Sequence, residues 1–518
     1  MTTSLGSSGQ VGPGTTPAGP PPYLVAVARA AKPQYPARPP FHPPEAYPEL
    51  ATLGLVPATE ARNDVYPAVR DCLRRLGMDA ARYGTSEWNP LGEVVNPGDR
   101  VLVKPNWVSH KHELNDSWES VITHGAVLRA VIDYVQLALA GRGEICLADG
   151  PMLNTDFDLV CERSGVSQVK QHYDELPRAL GLEVIDLRSV FFVTRDDVVV
   201  RRHALPGDPR GGVTVDLKER SEFYAFAGEG RYYGADYDTS EVNQHHTGRR
   251  QEYRLSGTAM QSQVIIDVPK LKTHHKVGVT LALKGVVGLN TDRNWLPHRT
   301  QGTPQQGGDQ FAESGWRQRL EHHVVRRFEQ AALRFPGVVS PIYRVAKRAG
   351  RLVFGRSHET VRGGGWHGND TLWRMVLDIN RALQYADAAG DLHEWPQRRR
   401  FCVVDGIIAG EGTGPVFPDA RRAGVIVAGP NPLIVDTVCA ELMGFDSKRI
   451  PVLDRALRRH EMPLAPVGYD EIRVVSNEPQ WSGAIDNMVA AAPFEFKAPL
   501  GWEGEMERTS QVAEGEQN

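Results

Sequence analysis

Between Ile265 and Asn290 the chain reads IIDVPKLKTHHKVGVTLALKGVVGLN. An apolar strand ends at Asp267–Val268, Pro269 opens a turn, and Lys270, Lys272, His274, His275 and Lys276 follow within seven positions. Extended backbone puts Lys270 and Lys272 on one face. From Val277 the pattern reads as a helix whose only charge is Lys284, with Gly278, Gly285 and Gly288 permitting close approach of another backbone. A lysine among Val, Leu and Gly either snorkels to water or is a desolvated ammonium with a depressed pKa. Cations crowded at a strand end call for an anionic ligand or an acidic partner.

Four further segments carry suitable groups. In Val101–Glu113 (VLVKPNWVSHKHE) a strand delivers Lys104 and Asn106 at its C-terminal end, where open α/β sheets hold ligands, and His110 and His112 follow. Lysine offers a point charge and asparagine both a donor and an acceptor; a strand cap with a solvated lysine is the plain alternative. In Ser120–Arg129, Thr123 caps a helix and leaves His124 in its first turn, beside unpaired N–H groups. In Val403–Pro418, Gly406, Gly410, Gly412 and Gly414 leave backbone N–H groups uncovered as an oxyanion nest or a tight structural turn. Asp405 and Glu411 there are candidate general bases or metal-binding carboxylates. No Gly-Lys-Ser/Thr follows, and Pro415 and Pro418 intervene before any helix, so neither a P-loop nor a dinucleotide fingerprint is present. Asp436 lies on an otherwise apolar helix, Leu433–Met443, and needs a cation, for which the lysines near Thr273 are candidates. These residues divide into proton-moving groups (His274, His275, Asp405, Glu411) and substrate-binding groups (Lys104, Asn106, His124, Lys270, Lys272, Lys284, Gly410, Gly412, Gly414, Asp436). Their spacing specifies no metal or cofactor.

The elements that must position them alternate as βαβ units. Strands are expected at Asp99–Lys104, Glu144–Asp149, Gln263–Val268, Phe401–Asp405, Val425–Ala428 and Glu471–Ser476, with helices near Tyr66–Leu76, Val121–Leu139 and Leu433–Met443. The fold class is α/β: two lobes of mostly parallel sheet flanked by helices, with a β-rich addition and a basic helical insertion. Tyr23–Ala30 reads as a strand isolated by the proline run after it. The β-rich addition spans about residues 182–226 and predicts an antiparallel hairpin. Residues 1–22 are a Gly/Pro/Ser/Thr head expected to be disordered, and 503–518 an acidic mobile tail. The α/β body then covers 23–291 and 366–502, split by an insertion at 292–365.

The 518 residues carry 59 Lys+Arg against 63 Asp+Glu, a formal charge of −4 that conceals an uneven distribution. Trp316–Arg356 holds ten basic and two acidic residues, net +8, so the rest of the chain carries −12. An acidic body without a recognised nucleic-acid motif makes nucleic acid an unexpected partner. No stretch reaches the roughly 18 apolar residues of a membrane span, and the first residues lack a secretory signal's basic start and apolar core. Five scattered cysteines with no Cys-x-x-Cys suit a reducing cytoplasm, and no cysteine-ligated iron–sulfur cluster is expected.

Taken in order, KPN, THGAVLRAVIDYV, PKLKTHHKVGVTLALKGVVG, VVDGIIAGEGTGP and PNPLIVDTVCAELMG resemble domain-of-unknown-function family 362, whose members are often labelled iron–sulfur cluster-binding proteins. The resemblance runs from Tyr23 to about Gly501, apart from the basic insertion. Many such relatives append a ferredoxin domain with four-cysteine runs; this chain has none, so the iron–sulfur label does not carry over. Lys270, Lys272 and His274, entering a Gly- and Leu-rich segment, are also similar to the lactate racemase family. That likeness implies a hydroxy-acid or other anionic substrate.

Two functions fit these observations. The first is an enzyme acting on a small or sugar-linked anionic substrate in a cleft between α/β lobes, by acid–base chemistry that needs no cofactor. The second is a non-catalytic module that docks on a partner or an anionic membrane surface through residues 316–356, as a cytoplasmic protein peripheral to the membrane. A solvated lid packed on its own domain is the alternative role for that block.

Overall fold

The computed structural model describes residues 19–54, 59–195, 198–234, 239–313, 327, 331 and 363–508. The head to residue 18, nearly all of the basic block Trp316–Arg356, and the tail beyond residue 508 lie outside the described residues.

The apolar runs that alternate with amphipathic segments become one 12-stranded mixed sheet. Its strands are β1 (Leu24–Arg29), β2 (Arg100–Pro105), β3 (Glu144–Asp149), β4 (Leu182–Asp186), β5 (Val264–Val268), β6 (Lys270–His274), β7 (Gly278–Val279), β8 (Arg399–Glu411), β9 (Asp419–Arg421), β10 (Val425–Gly429), β11 (Arg473–Ser476) and β12 (Gly483–Ala484). The main order is β12-β11-β1-β10-β8-β5-β2-β3-β4. The stretch β8-β5-β2-β3-β4 is parallel throughout, whereas β10 runs antiparallel to both β8 and β1. Strand β6 continues from β5 past Pro269 and pairs with the far half of β8, Lys270 opposite Asp405 and Lys272 opposite Gly410.

Alternation along each strand sends side chains to two cores. Val101, Val103 and Ile266 face helices α1 (Val65–Arg75) and α2 (Gly125–Leu139). Leu102, Ile265 and Cys402 face α3 (Leu281–Gly285), α4 (Leu372–Tyr385) and α5 (Pro432–Leu442). The expected α/β class is what the chain adopts, a large and mostly parallel central sheet flanked by helices. Segments on both sides of the insertion supply its strands. Among the described residues no helix is long and apolar enough to cross a membrane.

Several local expectations change. Tyr23–Ala30 does not stand apart: Leu24–Arg29 lies inside the sheet between β10 and β11. The segment from Val277 is not one helix but a tight hairpin, β6–β7, followed by the five-residue α3. The β-branched Thr273, Val277 and Val279 favour extended backbone, and Gly278 turns at φ +83°. The glycine run is strand rather than loop as far as Glu411. Leu182–Asp186 belongs to the central sheet, and the antiparallel hairpin of the β-rich region is Val190–Arg195 with Val198–Ala204. The start of the tail is packed, not mobile: Met506 is fully buried and Asp446 N–H donates to its carbonyl at 2.8 Å.

Candidate functional site

The C-terminal ends of β2, β3 and β5 and the middle of β8 lie side by side, with Lys104, Lys270 and Lys272 at or just beyond them. The groups gathered there fall into two sets that differ in charge balance.

In the first set every charge is answered. The Lys270 ammonium lies 3.0 Å from Asp405 Oδ2, both side chains fully buried. Tyr35 OH accepts from Lys270 Nζ at 2.6 Å and donates to Asp405 Oδ1 at 2.6 Å. The remaining Asp405 contacts are the N–H groups of His124 (2.9 Å) and Ile407 (3.3 Å). His124 is itself the N-cap of α2, one residue later than the expected Thr123, its Nδ1 accepting from Ala126 N–H. Its ring stacks on Tyr35 at 3.8 Å and on Trp118 at 5.2 Å. Burial and the Lys270 charge push the imidazole far below its ordinary pKa, so it is neutral. Nearby, Lys104 pairs with Asp149 at 2.9 Å and Arg400 with Asp267 at 2.7 Å. Lys272, fully buried, donates to the carbonyls of Val121 and Pro415, and burial drives its pKa well down.

The second set is cationic without matching acids. The ammonium of Lys284 on α3 has no hydrogen-bond or ion-pair partner among the described residues. Burial pushes it down to about 7, helped by the charges of Arg293, Lys276 and Lys104, with Asp149 opposing them. Lys276, also without a side-chain partner among the described residues, is pushed down to about 7 by burial and by Arg299. Asp309 acts on Lys276, but its own oxygens accept N–H groups of Thr300, Asp370 and Thr371. His274 and His298 are depressed by burial first and then by the same lysines. Arg293 donates to the carbonyls of Gly150 and Pro151, which seats the 290–295 turn over the end of β3. Two amides at this edge keep a buried atom without a partner, Asn106 Oδ1 and Asn290 Nδ2. Such an atom costs about 1–3 kcal/mol.

The other expected residues are placed as follows. His275 Nδ1 donates to Gly414 O at 2.6 Å, and burial pushes this imidazole down to about 4. Its ring stacks on His274 at 5.3 Å. Glu411 faces Arg421 (3.6 Å) and Lys497 (3.7 Å), away from the Lys284 group. Gly410 and Gly414 admit close backbone: a Cβ on Gly410 would fall 3.0 Å from Lys272 Cβ, and one on Gly414 2.1 Å from Thr273 O. Their absent side chains thus let β6 lie against β8. Asp436 does not pair with a lysine. Its two oxygens accept the N–H groups of Ala282 (2.8 Å) and Leu283 (2.7 Å), which fixes the start of α3, while burial pushes the carboxyl up to about 8. Lys284 and His274 thus gather with Lys276, Arg293 and His298, with the paired Lys104 and the carbonyl-bound Lys272 at their edge, whereas Lys270, Asp405 and His124 form the neutralised set beside them. Sequence reasoning missed Tyr35, Asn290, Arg293 and His298, isolated residues in loops that carry no period or spacing. Asp149 had a legible signal, an acid at a strand end followed by Gly150-Pro151.

Residues 101–196 and 212–441 match DUF362, a domain of unknown function. The chain belongs to that family. The match takes in the site residues from Lys104 to Asp436, while Tyr35 and Lys497 lie outside it. A thylakoid-associated protein of Synechocystis sp. is 22% identical over 392 residues, covering 75% of this chain and 78% of the relative. No solved structure matches. None of these matches points to the lactate racemases.

Proposed function

We propose that the chain is an enzyme that binds a small anionic substrate between the C-terminal ends of β2 and β3 and the segment Lys272–Arg299. The observation that carries this reading is the gathering of Lys276, Lys284, Arg293, His274 and His298 with few acids to answer them. A half-buried cluster of like charge is costly to hold, and an anion delivered there reduces the cost. Lys284 and Lys276, titrating near neutral pH, are the groups suited to pass a proton to or from the bound anion. Lys104, held by Asp149, sets the field at the strand end.

Thermal shift and calorimetry with inorganic phosphate, acetate and lactate test this reading. At least one anion should raise the melting temperature of the wild-type chain, and Lys284→Met should abolish the effect while leaving the chain folded. Binding that survives both Lys284→Met and Lys276→Met would sink it.

A second reading, docking on an anionic membrane surface through Trp316–Arg356, draws on the +8 charge of that block and the thylakoid association of the relative. Sedimentation with anionic against neutral liposomes separates the two, and binding indifferent to salt and lipid charge removes the membrane version.

A further inference from the structure

An amine that attacks a carbon needs a free lone pair, a fixed stem and a way in. The Lys284 ammonium has no hydrogen-bond or ion-pair partner among the described residues, and its side chain is half-buried, so a ligand can reach it. The backbone beneath it is held from two sides. Asp436 accepts the N–H groups of Ala282 and Leu283, and Asn380 Nδ2 donates to Leu283 O at 2.8 Å. Burial, together with the charges of Arg293, Lys276 and Lys104, leaves a share of this lysine as neutral amine near neutral pH.

Two imidazoles that feel the charges of these lysines are fixed in opposite tautomers. His274 Nδ1 accepts the N–H of Lys276 at 3.1 Å, so in the neutral ring the proton sits on Nε2. His298 Nδ1 donates to Leu296 O at 2.9 Å, so its Nε2 carries the lone pair. Neither Nε2 is closed off from solvent. The pair therefore offers one proton donor and one proton acceptor, which is what condensation of an amine with a carbonyl requires.

We propose that Lys284 is a covalent nucleophile that forms an imine with a carbonyl carbon of the bound anion. This rests on the reading of Lys284 above and names its substrate class: a short acid that bears an aldehyde or ketone, its carboxylate facing Lys276. Lys284 Nζ adds to the carbonyl carbon, forming a C–N bond while the π pair moves to oxygen. His298 Nε2 takes a proton from the nitrogen, and His274 Nε2–H gives one to that oxygen. Loss of the second N–H proton and breaking of the C–O bond release the oxygen as water. An amine and a carbonyl thus give a C=N bond and a water, and no oxidant or reductant is consumed.

The test is reductive trapping on the full chain at neutral pH, with glyoxylate or pyruvate and sodium cyanoborohydride, the adducts being mapped by peptide mass spectrometry. Lys284 should be alkylated about tenfold faster or more than solvated lysines. Excess acetate, which has the charge without the carbonyl, should suppress that adduct. Acetaldehyde, which has the carbonyl without the charge, should show no such preference. Lys284→Arg keeps the cation, so acetate should still raise the melting temperature while the adduct disappears. Trapping should slow several-fold in His298→Gln, and an unchanged rate removes His298 from the step. Labelling that spreads evenly over the lysines, or settles on Lys276, overturns the imine; acetate or phosphate binding retained in that case leaves the anion site standing. If nothing is trapped and no anion binds, both readings fall.

Discussion

Lys270 and Lys284 are only 14 residues apart, the first fully buried and the second half-buried, yet their surroundings are opposite in kind. Around Lys270 an acid, a phenol and two backbone N–H groups satisfy one another, and the network ties Tyr35 to β8 across 370 residues of chain. Around Lys284 the neighbours are further cations, and the acids within reach are already engaged. The first arrangement contributes to the integrity of the folded chain. The second costs stability and is relieved by a ligand. Two lysines in one motif therefore do opposite things, and what separates them is which acid the rest of the chain brings alongside.

The largest effect should come from breaking the neutral set. Asp405→Asn or Lys270→Met strands a buried charge and should cost about 3–5 kcal/mol in urea or guanidinium unfolding. Lys284→Met should cost nothing or stabilise on the order of 1 kcal/mol; an equal loss for both lysines would erase the distinction between the two regions. Next, Asp436→Asn replaces an acceptor by an N–H facing the Ala282 and Leu283 N–H groups, for a loss of about 1–3 kcal/mol. Because Asp436 fixes α3, that variant should also weaken anion binding, which Asp405→Asn should not do directly. The third effect is a pH dependence. Lys276 and Lys284 hold a proton less readily when folded, near 7 against an ordinary 10.5, so their penalty is fully present below pH 7. Between about 7 and 10.5 the unfolded chain binds protons the folded chain lacks, and stability from these groups rises with pH. Denaturant midpoints at pH 7 and 9.5 should therefore diverge more in wild type than in Lys284→Met, while anion affinity strengthens as pH falls through 7. Smallest, Tyr35→Phe should cost about 1 kcal/mol and leave anion binding unchanged.

The strands at the heart of the sheet were legible because short apolar runs between helical periods have few other uses. The parts read differently were those decided by distant segments. Lys270 and Asp405 each stood out by type and position, but that they answer each other depends on a register formed across 135 residues. The glycines of β8 signalled missing side chains without saying whether a ligand or a strand needed the space; the backbone of Thr273 takes it at Gly414. Val277–Asn290 looked helical from its scarcity of charge, which does not separate a buried hairpin from a buried helix. Arg293 and Asn290 escaped notice because single polar residues in a loop carry no pattern until the loop is placed.

The position of β1 bears on how the chain is made. Leu24–Arg29 leaves the ribosome well before its two neighbours, β10 and β11, which are encoded about 400 and 450 residues later. At ordinary elongation rates that is a wait of roughly 20–80 s. Throughout it, an apolar segment with unpaired N–H and C=O groups on both edges is present with nowhere to pair. Synthesis of this protein therefore includes a long interval in which its first strand needs shielding, and chaperone demand should track that strand more than the buried charges downstream.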